Sequence, residues 1–150
     1  MKRAIPAVAF DILARLGLGG LFIYSSWYKI QDPGLFADAV AGYAILPACC
    51  VGLFALILPM LELVAGAALI VTKWSREAAL ILLALLLSFF VGLSQAWIRG
   101  LEISCGCFGP DAGTPSPLWM DIIRVLFLLI PVIWLVVRPN GWLFPRPLKG

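Results

Sequence analysis

Two pairs of cysteines carry most of the chemistry that this sequence offers. Cys105 and Cys107 stand one glycine apart in EISCGCFGPDAGTPSP, Glu102 to Pro117, and Cys49 and Cys50 are adjacent in YAILPACC. A disulfide across Cys-Gly-Cys closes a small ring that departs from relaxed geometry, and strained, exposed disulfides are the labile, catalytic kind. Gly106 removes the side chain that would obstruct the turn. Gly109-Pro110, Gly113 and Pro115 hold the stretch out of a helix. These residue types at this spacing point to thiol–disulfide exchange, with Cys105, Cys107, Cys49 and Cys50 as candidate catalytic residues.

Other uses of the same thiols stay open. A structural bridge from Cys105 or Cys107 to Cys49 or Cys50 would staple two loops together. Four thiolates also suit zinc, copper(I) or an iron–sulfur cluster. Against that, adjacent cysteines chelate a tetrahedral ion poorly and no CxxC spacing is present, so no metal is expected. The chain has no histidine, which removes the commonest metal ligand and the usual base near neutral pH. Proton and electron chemistry falls to Cys, Asp, Glu, Lys, Arg or a bound cofactor.

A second group of residues is notable for its place. Asp11, Arg15 and Glu62 lie inside apolar runs, where each charge costs at least about 2.5 kcal/mol unless paired or hydrated. Asp11 and Arg15 are four apart and share a helix face. Arg15 and Glu62 each lie roughly 15 Å from the same end of their runs at 1.5 Å per residue, so antiparallel neighbours are expected to bring them level. Asp11, Arg15 and Glu62 then form an intramembrane polar cluster, either a clasp that sets helix register or a proton path or cofactor headgroup site. Pro59 is expected to kink the second run beside it. Lys29 ends the first run. Facing the thiols it would favour thiolate; otherwise it anchors at the headgroups. Ser94, Gln95, Asp121 and Arg124 are expected to pair across helices, and Gly17, Gly19 and Gly20 to let helices approach closely.

The elements that must position these residues follow from composition. Of 150 residues 63% are hydrophobic and 13% charged, and the mean hydropathy is +1.04; soluble domains are about half apolar. Four runs, about 4–28, 46–72, 78–98 and 118–137, reach the roughly 20 residues that cross a hydrocarbon core. The expected fold is all-α: one membrane domain over 1–150, a polytopic bundle of four transmembrane helices. Asp11 and Arg15 inside the first run argue against a cleaved signal peptide. Lys2, Arg3, Lys73, Arg76, Arg138, Arg146 and Lys149 fall on one side, which places both termini in the cytoplasm and the cysteine loops on the periplasmic face of a bacterial inner membrane. Trp27, Tyr28, Trp97, Trp119 and Trp142 sit near run ends, as interfacial aromatics do. A net charge of +3 with no basic run gives no case for nucleic acid; the lipid bilayer is the partner that composition implies.

The order and spacing of several stretches resemble a known family. RLGLGGLFIYSSWYKIQDP, YAILP, LPMLELVAGAAL, CGCFG with its Pro-rich sequel, and DIIRVLFLL are similar to the MauE (methylamine-utilisation) branch of the DoxX-like membrane proteins. The resemblance covers nearly the whole chain, and CGCFG is its most specific element. Ser25-Ser26 stands where that family usually has Ser-Gly. The resemblance implies a four-helix membrane bundle and a link to disulfide handling with a periplasmic thioredoxin-like partner of the MauD kind. It carries over Cys105 and Cys107 as candidate redox site and Lys29, Arg15 and Glu62 as matching polar positions.

Two functions of different class follow. The first is a membrane thiol–disulfide oxidoreductase: the CGC pair exchanges with a thioredoxin-like protein, and Cys49-Cys50 passes electrons to a lipid-soluble quinone as cofactor. Its layout resembles DsbB and vitamin K epoxide reductase in outline. The second is a non-catalytic membrane anchor or assembly subunit, with a structural disulfide between outer loops. A transporter fits less well, since no pair of broken helices occupies matching places.

Overall fold

The computed structural model describes residues 4–71, 74–101 and 117–137. They form five helices: α1 (Ala4–Gln31), α2 (Pro33–Gly42), α3 (Ala48–Val71), α4 (Ser75–Ile98) and α5 (Leu118–Val137). Three of these, α3, α4 and α5, are long and apolar enough to cross a membrane. Their bounds lie within three residues of the last three apolar runs. Helix α1 has 28 residues, a rise of about 42 Å, and it carries Asp11, Arg15 and Lys29.

The surface of the bundle is as apolar as its interior. Leu13, Leu53, Leu56, Val64, Val91, Phe127 and Ile130 are all exposed, while Leu69, Leu82, Leu93 and Val132 are sealed inside. In water such a girdle would be a severe liability; against lipid tails it is the matching solvent, and only helices keep their backbone satisfied there. Trp27, Trp97 and Trp119 lie exposed near one end of the bundle and Trp74 near the other, the distribution of interfacial aromatics. This is a multi-pass membrane protein.

Helix α1 packs chiefly against α3, and α4 against α5. The first pair crosses at two glycines. A Cβ on Gly19 would lie 2.8 Å from the Gly66 carbonyl oxygen and 2.5 Å from Ile70 Cγ1, and a Cβ on Gly66 would lie 3.0 Å from the Gly19 carbonyl oxygen. Gly17 and Gly20 meet nothing within 4 Å, so of the expected glycine strip only Gly19 serves close packing. The other member of the crossing, Gly66, comes from α3. Residue numbers rise along α1 as they fall along α3 and α5: Phe10 stacks edge-on with Trp134 at 5.5 Å, whereas Ser25 and Lys29 face the Val125 level. The start of α1 and the end of α5 therefore share one end of the bundle, and Cys49 and Cys50 mark the opposite, cysteine end.

Helix α2 occupies part of what the hydropathy pattern left as a loop. Asp32 is its N-cap, its Oδ1 accepting the Leu35 N–H at 3.0 Å, and Pro33 follows at the first helical position, where a missing N–H costs nothing. The helix closes at Ala44, a left-handed residue (φ 49°) whose N–H donates to the Ala41 carbonyl at 2.9 Å. That reversal returns the chain to α3 and leaves Phe36 of α2 buried against the bundle.

Candidate functional site

The most enclosed ion pair among the described residues is one that the hydropathy pattern did not indicate. Lys29, in the last turn of α1, donates from Nζ to both carboxylate oxygens of Glu62, at 2.9 Å and 2.7 Å. The side chains are 3% and 1% exposed. Two rings flank the ammonium, Phe36 of α2 at 5.0 Å and Phe89 of α4 at 5.1 Å to their centroids. Such placement over ring faces is itself attractive. Ser25, Leu86 and Val125 complete the surroundings, so α1, α3, α4 and α5 converge here and α2 covers them. The space beside the pair, about 20 Å³, is the size of one water molecule. Ser26, one residue along and fully buried, spends its hydroxyl on the Phe22 carbonyl at 2.7 Å.

Helix geometry explains why Lys29 turns inward. Every Cα–Cβ bond tilts toward its helix N-terminus. On α1 that direction runs from Lys29 into the bundle; on α3 it runs from Glu62 toward the cysteine end. The two side chains are aimed at each other before any rotamer is chosen. A Lys29 anchored at the headgroups would have to reach against this tilt, and α2 with Phe36 closes that exit.

The expected level match of Arg15 with Glu62 is corrected by the glycine crossing. Arg15 precedes Gly19 by one turn on α1, and Glu62 precedes Gly66 by one turn on the antiparallel α3. The two therefore lie on opposite sides of the crossing, about 12 Å apart along the bundle at 1.5 Å per residue. Arg15 Nε instead lies 3.1 Å from Asp11 Oδ2 on its own helix. The polar cluster is thus two separate pairs. Counting from run ends failed because α1 extends past α3 at the end it shares with the C-terminus of α5.

At the cysteine end, Cys49 and Cys50 are free thiols with Sγ atoms 3.7 Å apart, Cys49 exposed and Cys50 half-buried. Adjacent Cα atoms are about 3.8 Å apart, short of the usual disulfide range of about 4.4–6.8 Å, so a bridge between these two would open the first turn of α3. Glu62 lies twelve residues beyond Cys50, about 18 Å along the helix. Lys29, held by Glu62, therefore does not adjoin this thiol pair; its expected tuning of a thiolate would fall to Cys105 or Cys107. Cys105 and Cys107 lie outside the described residues.

Tyr43 ties the cysteine end together. Its carbonyl accepts from Arg99 Nη1 at 3.4 Å, and its ring packs 3.6 Å from where a Gly92 Cβ would be. Burial, and then the Asp121 carboxylate, push its hydroxyl up to about 12. Asp121 itself accepts from Arg124 Nη1 at 2.9 Å, three residues along the same helix, and Ser94 donates to the Phe90 carbonyl of its own turn. The expected cross-helix pairing of Ser94 with Asp121 or Arg124 is replaced by these local bonds.

The sequence matches known proteins over most of its length. The family model described as methylamine utilisation protein MauE matches residues 7–138. The methylamine utilization protein MauE of Paracoccus denitrificans is 32% identical over 115 residues, which cover 76% of this chain and 61% of that protein. The chain thus matches less than two thirds of the length of this curated relative. No solved structure matches the chain. A match over most of the sequence, on a bundle whose only sealed charge pair is built from positions in the matched segment among the described residues, places this chain in the MauE family of membrane proteins.

Proposed function

We propose that this chain is a bacterial inner-membrane protein that exchanges disulfides or electrons with a periplasmic thioredoxin-like partner in a protein-maturation role; its relatives are named for methylamine utilisation. The observation that carries this reading is the meeting of two segments at the cysteine end, where Arg99 hydrogen-bonds Tyr43. Cys105 follows Arg99 by six residues and Cys49 follows Tyr43 by six. The segments that lead on to the two cysteine pairs thus meet at Arg99 and Tyr43. With α1 as a fourth span, the sequence puts Lys2, Arg3, Lys73, Arg76, Arg138, Arg146 and Lys149 on the flanks opposite the cysteines, which supports cytoplasmic termini and a periplasmic cysteine face.

In the oxidising direction electrons pass from the partner to the CGC pair. A thiolate of the partner attacks the Cys105–Cys107 bond, one cysteine leaves as thiolate, and a mixed disulfide forms. The partner's second thiol displaces the remaining cysteine, so the partner gains a disulfide and the CGC pair gains two electrons and two protons. Exchange with a Cys49–Cys50 disulfide, which opens the first turn of α3, passes them on, and a lipid-soluble quinone is the class of oxidant that takes them from the membrane.

The deciding experiment equilibrates the purified protein across a glutathione series, alkylates free thiols and maps the peptides by mass spectrometry. Interconversion of Cys105 and Cys107 as a pair, within the potential range of periplasmic oxidoreductases, is the expected result. A pair locked in one state at every potential sinks the exchange reading. It would favour the second reading, a non-catalytic anchor or assembly subunit, which draws support from the Lys29–Glu62 pair: a buried clasp of this kind serves helix register with no chemistry at all.

A further inference from the structure

The cysteine half of the bundle contains a cavity that the steps above have not used. It lies between α3, α4 and the turn that joins α2 to α3, with a volume of about 200 Å³. Its walls are apolar and three of them are rings: Tyr43, Phe54 and Phe89. Buried Leu85 forms the floor, while Ile45, Phe54 and Ser88 are exposed at the rim. The mouth therefore opens sideways, toward lipid. An apolar cavity of about 150 Å³ lined by Leu, Ile and Phe holds a benzene molecule; this one has room for a substituted six-membered ring but not for a long tail, which would stay in the bilayer.

Two further observations choose the occupant. Cys50, Phe54 and Leu58 are spaced by four on α3 and form one stripe. Phe54 and Leu58 line the cavity, and half-buried Cys50 stands one turn, about 6 Å, above Phe54. Phe89 is a shared wall: it lines the cavity and its ring lies 5.1 Å from Lys29 Nζ. A ring stacked on Phe89 would sit one aromatic thickness from the buried ion pair. At the rim, the Ser88 hydroxyl donates to the Ala84 carbonyl at 2.9 Å, which leaves its oxygen free to accept from a quinol hydroxyl.

We propose that this cavity, framed by Phe54, Leu58, Phe89 and Tyr43 beneath Cys50, binds the ring of a membrane quinone that reoxidises the thiols at the cysteine end. This rests on the exchange reading and assigns it a place. As a disulfide that includes Cys50 forms, its two thiols release two electrons and two protons. The quinone accepts both and leaves as quinol along the opening between α3 and α4.

The test uses the full chain in lipid nanodiscs and a photoreactive azido analogue of a short-chain ubiquinone, with labelled peptides mapped by mass spectrometry. Label is expected on the stretches Phe54–Leu58 and Leu85–Gly92. Ser88→Phe plugs the rim and Leu58→Trp fills the interior, and each should lower labelling about tenfold, the effect of roughly 1.4 kcal/mol in binding. Gly17→Ala, which faces no neighbour, should label as the parent does. Label spread evenly over lipid-facing helices, or undiminished in both plugged variants, overturns the site. Cys50 is alkylated in the same samples. Saturable cavity labelling with Cys50 reduced throughout keeps the site and removes the exchange reading. Reoxidation of Cys50 by quinone in both plugged variants removes the site and keeps the exchange.

Discussion

Lys29 and Glu62 are each expensive in lipid alone and inexpensive together. Each ion loses its water, and the bidentate contact with the flanking rings of Phe36 and Phe89 must offset that loss. Removing one partner leaves the other charged in an apolar shell. Glu62→Gln is therefore expected to destabilise the bundle by about 3–5 kcal/mol, read as a lower unfolding midpoint in detergent. The double change Lys29→Met with Glu62→Leu should recover most of that loss, since well-packed apolar residues replace a buried pair at little cost. Single variants as stable as the parent would contradict the pairing. Asp11→Asn should add independently to Glu62→Gln, within about 0.5 kcal/mol, because the two sites lie more than about 10 Å apart on opposite sides of the glycine crossing.

At the scale of elements, the crossing of α1 and α3 sets which residues can meet. One glycine on each helix lets the backbones approach, and that contact fixes the register which brings Lys29 to Glu62 and keeps Arg15 away. Gly19→Ala drives a methyl group onto the Gly66 carbonyl and is expected to cost about 1–3 kcal/mol. Gly17→Ala meets open space and should be neutral or gain up to about 1 kcal/mol of helix propensity. Thermal unfolding of the two variants side by side checks the register: equal losses would place both glycines in the contact. Helix α2 was legible in principle. Asp32-Pro33 is a capping residue followed by proline, a helix start, but only ten residues follow, too short to register against the apolar runs on either side. Its consequence, a lid of Phe36 over Lys29, needs the tertiary structure.

At the scale of the whole molecule, the cysteine end and the end shared by the α1 start and the α5 finish are chemically different faces of one bundle. In a background with Cys105→Ser and Cys107→Ser, a membrane-impermeant thiol reagent applied to intact spheroplasts should label exposed Cys49. A cysteine introduced as Glu77→Cys, exposed in the first turn of α4, should react only after permeabilisation. The reverse pattern would invert the proposed topology.

Composition and apolar run length were enough to determine a helical membrane protein, because lipid leaves the backbone no other way to satisfy itself over those spans. The spacing of α3, α4 and α5 was readable to within a few residues for the same reason. The order and spacing of several stretches, LPMLELVAGAAL and CGCFG among them, suggested the family that the match over residues 7–138 shows. What only the tertiary structure decided was pairing. Asp11, Arg15, Lys29 and Glu62 are four charges with several possible matches, and a one-dimensional count of depth chose Arg15 for Glu62. The choice belongs to the Gly19–Gly66 crossing and to the tilt of side chains along antiparallel helices, which together aim Lys29 at Glu62. The cavity beneath Cys50 is likewise a property of three segments meeting, and no one of them contains it.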